Sequence, residues 1–180
     1  PIEVNGNELN FIFDSGVNAT VLFNLRPSDS LEFKNIQNIT LKGLGAGDPI
    51  EGLLSERNRM KIKDIISPNQ NFYIIFDDKF DLSSKLGITI HGIIGYHLLK
   101  DFIVDINYVS RRIIFYKPSD FKYKKVKKWE SFNLEFYNNK PYVNTFVRLD
   151  TISEKIPVKL LIDSGGSDAL WLFENDTKKI

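Results

Sequence analysis

The chain has 180 residues, of which 42% are hydrophobic and 26% are charged, and its formal net charge is +1. This balance is typical of a folded globular protein and excludes a disordered or fibrous chain, while the near-neutral charge argues against a nucleic-acid-binding domain. The chain has no Cys and two His, so disulfides, thiolate metal sites and cysteine nucleophiles are excluded and a multi-histidine metal centre is not expected. The longest apolar runs, of which Phe72 to Phe76 is one, are far shorter than the roughly 20 residues of a membrane-spanning helix.

Along most of the chain, apolar residues alternate with polar ones or come in short runs, which is the pattern of β-strands. Ile2 and Val4 lead into the turn signal Asn5-Gly6-Asn7, in which Asn and Gly tolerate positive φ. Further strands are predicted at Leu9–Phe13, Ile39–Leu41, Met60–Ile66, Asn71–Phe76, Phe102–Ile106 and Arg112–Tyr116. One short helix is predicted near Tyr96–Lys100. The pattern therefore predicts an all-β protein with one short helix.

A change of composition divides the chain between residues 118 and 130. Pro118 interrupts the preceding strand, and six lysines fall between Lys117 and Lys128. A new alternating pattern begins at Phe132, with a turn signal at Asn138-Asn139. We therefore predict a first unit at residues 1–117, a linker at 118–130 and the opening strands of a second unit at 131–180. The lysines are interpreted as a solvated linker, because like-charge runs usually remain in water; an anionic partner is the alternative.

One motif occurs twice, as Phe11–Gly16 and Leu160–Gly165. In each copy three apolar residues are followed by Asp-Ser-Gly, at the end of a predicted hairpin. Two carboxylates held about 3 Å apart cannot both ionise, so they share one proton. One can then activate a water molecule while the other donates a proton to a carbonyl oxygen. The repeat therefore identifies Asp14 and Asp163 as candidate catalytic residues.

The residues after each aspartate suit such a pair. Glycine, at Gly16 and Gly165, lets the backbone turn sharply and bring an amide close to the carboxylate. The hydroxyl groups of Ser15 and Ser164 can form hydrogen bonds across the pair and hold the two loops together. These four residues are therefore predicted to support the dyad.

The region around the first copy resembles a known family. Asp14–Leu22 resembles the active-site loop of retroviral-type aspartic proteases, and His91–Leu99 resembles the apolar-apolar-Gly segment that packs beside that loop. Residues 1–117 thus resemble a whole retropepsin-like β-barrel lobe. The second copy is similar to the active-site loop of two-lobed, pepsin-like enzymes, and two-lobed secreted bacterial aspartic proteases are the nearest resemblance. A glycine-rich segment occupies the position of the family's flap, the hairpin that covers substrate: Gly43, Leu44, Gly45, Ala46 and Gly47.

The resemblance implies an aspartic endopeptidase that hydrolyses peptide bonds of peptide or protein substrates, in a secreted, periplasmic or cell-envelope location. It assigns the dyad to Asp14 and Asp163, with no metal, no cofactor and no covalent intermediate. Residues 131–180 offer only the beginning of a second, incomplete lobe. We therefore expect this chain alone to be weakly active or inactive. A homodimer is one expected assembly, because retroviral-type lobes complete their sites as symmetric dimers.

Two other functions are considered. A protease-like lobe can serve as a non-catalytic peptide-binding or dimerisation module, and a lone buried Asp14 would favour that function over paired carboxylates. The second motif also resembles the phosphate-binding turn of actin-like ATPases. That fold requires several alternating helices and many more residues than this chain has.

Overall fold

The computed structural model describes residues 1–26, 31–41, 49–76, 82–123 and 130–172. In these ranges the strands are β1 (Ile2–Val4), β2 (Asn7–Leu9), β3 (Phe11–Phe13), β4 (Thr20–Leu22), β5 (Ile36–Leu41), β6 (Ile50–Ile62), β7 (Ile65–Ile75), β8 (Gly92–Ile94), β9 (Ile103–Asn107), β10 (Arg112–Tyr116), β11 (Glu135–Tyr137), β12 (Lys140–Val147) and β13 (Ile156–Leu161). The helices are α1 (Leu82–Leu86) and α2 (Tyr96–Leu99). The protein is thus mostly β, as predicted. Across these ranges, no helix is long and apolar enough to cross a membrane.

The first eight strands form a nearly closed, barrel-like sheet. Its strand order is β2-β1-β6-β7-β4-β8-β3, and β5 pairs with β6. Two smaller antiparallel sheets follow, one of β9 and β10 and one of β11, β12 and β13. The barrel encloses a cluster of buried apolar side chains: Val4, Leu9, Leu22, Met60, Phe72, Ile74, Ile94 and Leu98. This core supports the residues that connect β3 to β4.

The predicted strand at Leu9–Phe13 is divided at Asn10. The backbone N–H of Asn10 donates to Nδ1 of His91 at 3.0 Å, and its side-chain amide donates to the carbonyl of Thr89 at 3.0 Å. These bonds direct Asn10 away from strand pairing. The chain therefore leaves β2 and enters β3, which pairs with a different neighbour, β8.

The predicted strand Met60–Ile66 is wrong, because this stretch contains the turn of a long hairpin. Strand β6 ends at Ile62 and β7 begins at Ile65. Lys63, between them, has φ +50°, the left-handed conformation that a tight turn requires. Helix α1 was also not predicted, since five residues are too few to produce helical periodicity.

Strand β8 supports the connection between β3 and β4. It lies between them, parallel to β3 and antiparallel to β4. The backbone N–H of Asp14 donates to the carbonyl of Ile94 at 3.0 Å. A Cβ at Gly95 would lie 2.3 Å from the carbonyl oxygen of Val17 and 2.6 Å from that of Ala19. Glycine at position 95 therefore lets the connecting loop rest directly on the end of β8.

Candidate active site

The two predicted aspartates meet at the ends of β3 and β13. We call Asp14–Gly16 the first loop and Asp163–Gly166 the second loop. The carboxyl groups of Asp14 and Asp163 share a side-chain hydrogen bond. The structure therefore brings the predicted pair together within one chain.

Backbone amides hold each carboxylate. Oδ1 of Asp14 accepts a hydrogen bond from the N–H of Gly16 at 2.7 Å. Oδ1 of Asp163 accepts two, from Gly165 at 2.8 Å and from Gly166 at 3.1 Å. Gly166 was not among the predicted site residues, although it lies in the same motif. The two carboxylates thus differ by one donor.

The two serines link the loops reciprocally. The backbone N–H of Ser15 donates to Oγ of Ser164 at 3.0 Å, and the N–H of Ser164 donates to Oγ of Ser15 at 3.0 Å. Each hydroxyl then donates to a carbonyl of the opposite strand, Ser15 to Ile162 at 2.6 Å and Ser164 to Phe13 at 3.2 Å. Four hydrogen bonds therefore fix the position of one loop relative to the other.

The glycines allow the loops to approach closely. A Cβ at Gly165 would lie 2.5 Å from Cγ of Asp14, and a Cβ at Gly16 would lie 2.9 Å from Cγ of Asp163. Separations this short are not found between real side-chain atoms, so a larger residue at either position would push the opposite carboxyl group away. Glycine is therefore required at both positions, because a Cβ at either one would collide with the opposite carboxyl group.

The first carboxyl group titrates abnormally. Burial and the side-chain hydrogen bond between the protonated Asp14 carboxyl group and Asp163 raise the pKa of Asp14 from its ordinary value of 3.8 to about 6. The charge of Asp163 acts in the same direction, while the amide of Gly16 and the charge of Lys140 oppose the rise. Desolvation and a neighbouring carboxylate both disfavour the ionised form. Asp14 therefore retains a proton at pH values at which an ordinary Asp has lost it.

Lys140 was not predicted from the sequence. It is the first residue of β12 and is half-buried, and its charge acts on Asp14. A single lysine after a turn signal looks like any surface lysine. Only the contact between the sheets indicates that this one lies near the carboxyl pair.

Other predicted residues lie outside the described ranges. These include the flap residues Gly43, Leu44, Gly45, Ala46 and Gly47, and residues 124–129 of the linker. On either side of the predicted flap, Leu41 and Ile50 are paired in the β5–β6 ladder. The flap therefore stays a prediction.

Comparison with known families supports the first part of the chain. Residues 1–98 match the family model described as aspartyl protease. This match covers more than half of the chain and includes the first loop and Gly95, whereas the second loop lies beyond it. Comparisons with curated proteins and with solved structures gave no significant match.

Proposed function

The chain belongs to the aspartyl protease family, and we propose that it is an aspartic endopeptidase in which Asp14 and Asp163 form the catalytic dyad. The observation that carries this proposal is the hydrogen-bonded carboxyl pair at the ends of two hairpins. Paired carboxylates favour an enzyme over a binding module, which needs no shared proton. The all-β fold disfavours the actin-like alternative, since the described part of the chain has two short helices.

The surroundings of the two carboxyl groups suggest separate roles. Asp14 is half-buried, accepts one backbone donor and has a pKa raised to about 6. Asp163 is exposed and accepts two backbone donors. We assign the shared proton to Asp14 and the negative charge to Asp163.

In this mechanism Asp163 removes a proton from a water molecule lying between the two carboxyl groups. The water oxygen attacks the peptide carbonyl carbon, and Asp14 donates its proton to the carbonyl oxygen. As the tetrahedral intermediate collapses and the C–N bond breaks, Asp163 gives the proton it took up to the leaving amine, and Asp14 takes a proton back from the hydroxyl group that becomes the product carbonyl. Both carboxyl groups return to their starting charge, so no metal and no covalent intermediate are required.

The remaining predicted residues have positioning roles in this proposal. Ser15 and Ser164 hold the two loops in register through their four hydrogen bonds. Gly16 and Gly165 leave room for the facing carboxyl groups. The segment from Gly43 to Gly47 serves as a flap that closes over bound peptide and excludes water.

The test is peptide hydrolysis between pH 3 and pH 7 by the wild type and by Asp14→Asn and Asp163→Asn, with Asp105→Asn as a control because Asp105 is exposed on β9. Each dyad variant should lose at least about 10³-fold in kcat, because the two carboxyl groups act as a unit. The control should retain activity. A dyad variant that keeps more than about a tenth of wild-type kcat would remove that residue from the dyad.

Since we expect weak turnover by this chain alone, a second measurement is binding of a statine-type peptide, whose hydroxyl imitates the attacking water. Calorimetry should detect binding to the wild type and not to Asp14→Asn. Peptide binding that survives both dyad substitutions, with no cleavage at any pH, would favour the non-catalytic module.

Light scattering at several concentrations tests the predicted homodimer.

A further inference from the structure

Lys140 lies beside the second loop for a structural reason. It follows Asn138 and Asn139, whose φ values of 48° and 60° form the turn between β11 and β12. The next residue, Pro141, accepts a hydrogen bond from the backbone N–H of Ile162 at 2.9 Å. Because Ile162 directly precedes Asp163, the start of β12 is fixed next to the second loop.

The β11–β12 hairpin also contacts the segment on which the first loop rests. Phe136 pairs with Pro141 across the β11–β12 ladder, and its ring lies 5.5 Å from the ring of Tyr96. Tyr96 begins α2, immediately after Gly95, and its backbone N–H donates to the carbonyl of Val17 at 2.9 Å. The hairpin that carries Lys140 thus contacts residues next to both loops, and the positive charge of Lys140 acts on Asp14.

The ammonium group of Lys140 forms no ion pair with a carboxylate among the described residues, although its charge acts on Asp14. The ion pairs in those ranges join Arg59 and Lys61 to Glu3, and Lys159 to Glu135. The carboxylates of the dyad are held by each other and by backbone amides. A half-buried ammonium group that forms no ion pair keeps hydrogen-bond donors to which an incoming carboxylate can bind.

We propose that Lys140 is a specificity-determining residue that recognises an acidic side chain of the peptide close to the scissile bond. The inference rests on the proposed function and adds a substrate class to it. A charge-assisted hydrogen bond of this kind should favour Glu over the isosteric Gln by about tenfold in kcat/KM at one peptide position.

The experiment uses matched peptides that carry Glu or Gln at each position within three residues of the scissile bond. It is performed between pH 5 and pH 6, where a substrate Glu is ionised and Asp14 still holds its proton. The Glu/Gln ratio should be about ten at one position for the wild type and about one for Lys140→Met. Lys140→Glu should cleave the Gln peptide faster than the Glu peptide. A purely structural role of Lys140 would not produce this inversion.

Lys159→Met is the matched control. Lys159 lies in the same sheet, on β13, but its ammonium group already pairs with Glu135. Its replacement removes the same charge from the protein and should leave the Glu/Gln ratio unchanged. A ratio near one at every position for the wild type, or a ratio that Lys140→Met does not alter, would overturn the proposal.

The failure of this proposal can be told apart from the failure of the proposed function. If neutral peptides are cleaved and Asp14→Asn abolishes the cleavage, but Lys140 has no effect on the Glu/Gln ratio, only the role of Lys140 is wrong. If the wild type cleaves too slowly to measure, Kd values for statine-type peptides carrying Glu or Gln take the place of kcat/KM. If neither peptide binds, both proposals are wrong.

Discussion

The two Asp-Ser-Gly loops have the same backbone pattern but different surroundings. The first rests on Gly95 and is continuous with the barrel core, where Ala19 and Thr20 are buried. The second extends from a three-stranded sheet, and most of its residues are exposed. The repeat therefore specifies the turn and its hydrogen bonds, whereas the rest of the fold determines how deeply each carboxyl group is buried.

The largest difference between the two regions is expected in their contribution to stability. Phe72 is 0% exposed in the barrel core, whereas Phe136 is 56% exposed on β11. Phe72→Ala should cost about 3–5 kcal/mol in the free energy of unfolding, and Phe136→Ala about 1 kcal/mol from its contact with Tyr96. Urea titration followed by circular dichroism measures both, and equal losses would mean that the two regions are equally well packed.

A second prediction concerns the space between the loops. Gly165→Ala would place its Cβ 2.5 Å from Cγ of Asp14, whereas the nearest atom to a Cβ at Gly166 is 3.6 Å away. The first change should displace the Asp14 carboxyl group and reduce kcat/KM by about 100-fold. Gly166→Ala keeps its backbone N–H and should have a much smaller effect. Similar losses from the two variants would show that close approach at position 165 is not what the site requires.

A third prediction concerns the energetic coupling between the hydrogen bonds of the two serines. Each serine hydroxyl makes two hydrogen bonds to the opposite loop or strand. Ser15→Ala and Ser164→Ala should each cost about 1–2 kcal/mol. Because they remove parts of one network, the double variant should cost less than the sum. A double-mutant cycle on unfolding free energies measures this coupling, and strict additivity would contradict a shared network.

The smallest expected effect is the pH dependence caused by Asp14. Because its pKa is raised in the folded protein, from 3.8 to about 6, its stabilising contribution is complete below about pH 3.8 and is lost as the pH rises through about 6. The shift corresponds to at most about 3 kcal/mol, which solvent screening at a half-exposed carboxyl group reduces to about 1 kcal/mol.

The measurement compares unfolding free energies of wild type and Asp14→Asn at pH 3.5 and pH 7. The wild type should lose stability relative to the variant over this interval. The same comparison for Asp105→Asn, at an exposed strand position, gives the background. An equal pH dependence in the wild type and Asp14→Asn would mean that the first loop does not perturb its carboxyl group.

Much of the site could be predicted from the sequence because its chemistry is local. Asp-Ser-Gly after an apolar strand is a short pattern, and its repetition identified both Asp14 and Asp163. The fold could be predicted as all-β for the same reason, since alternation is visible within a few residues. The interruption of the predicted strand at Asn10 was harder to predict, because Asn10 forms a hydrogen bond with His91, which is 81 positions away in the sequence. The position of Lys140 likewise depends on packing between two sheets.

The reciprocal serine bonds have a consequence for how the protein folds. They join residues 149 positions apart, so the chain must close a very long loop before any of them can form. Loop-closure entropy and high contact order both make such contacts slow to appear. The barrel can collapse through its local hairpins first, and the carboxyl groups come together only when the second loop docks. We therefore expect the two carboxyl groups to come together late in folding, after the barrel has formed.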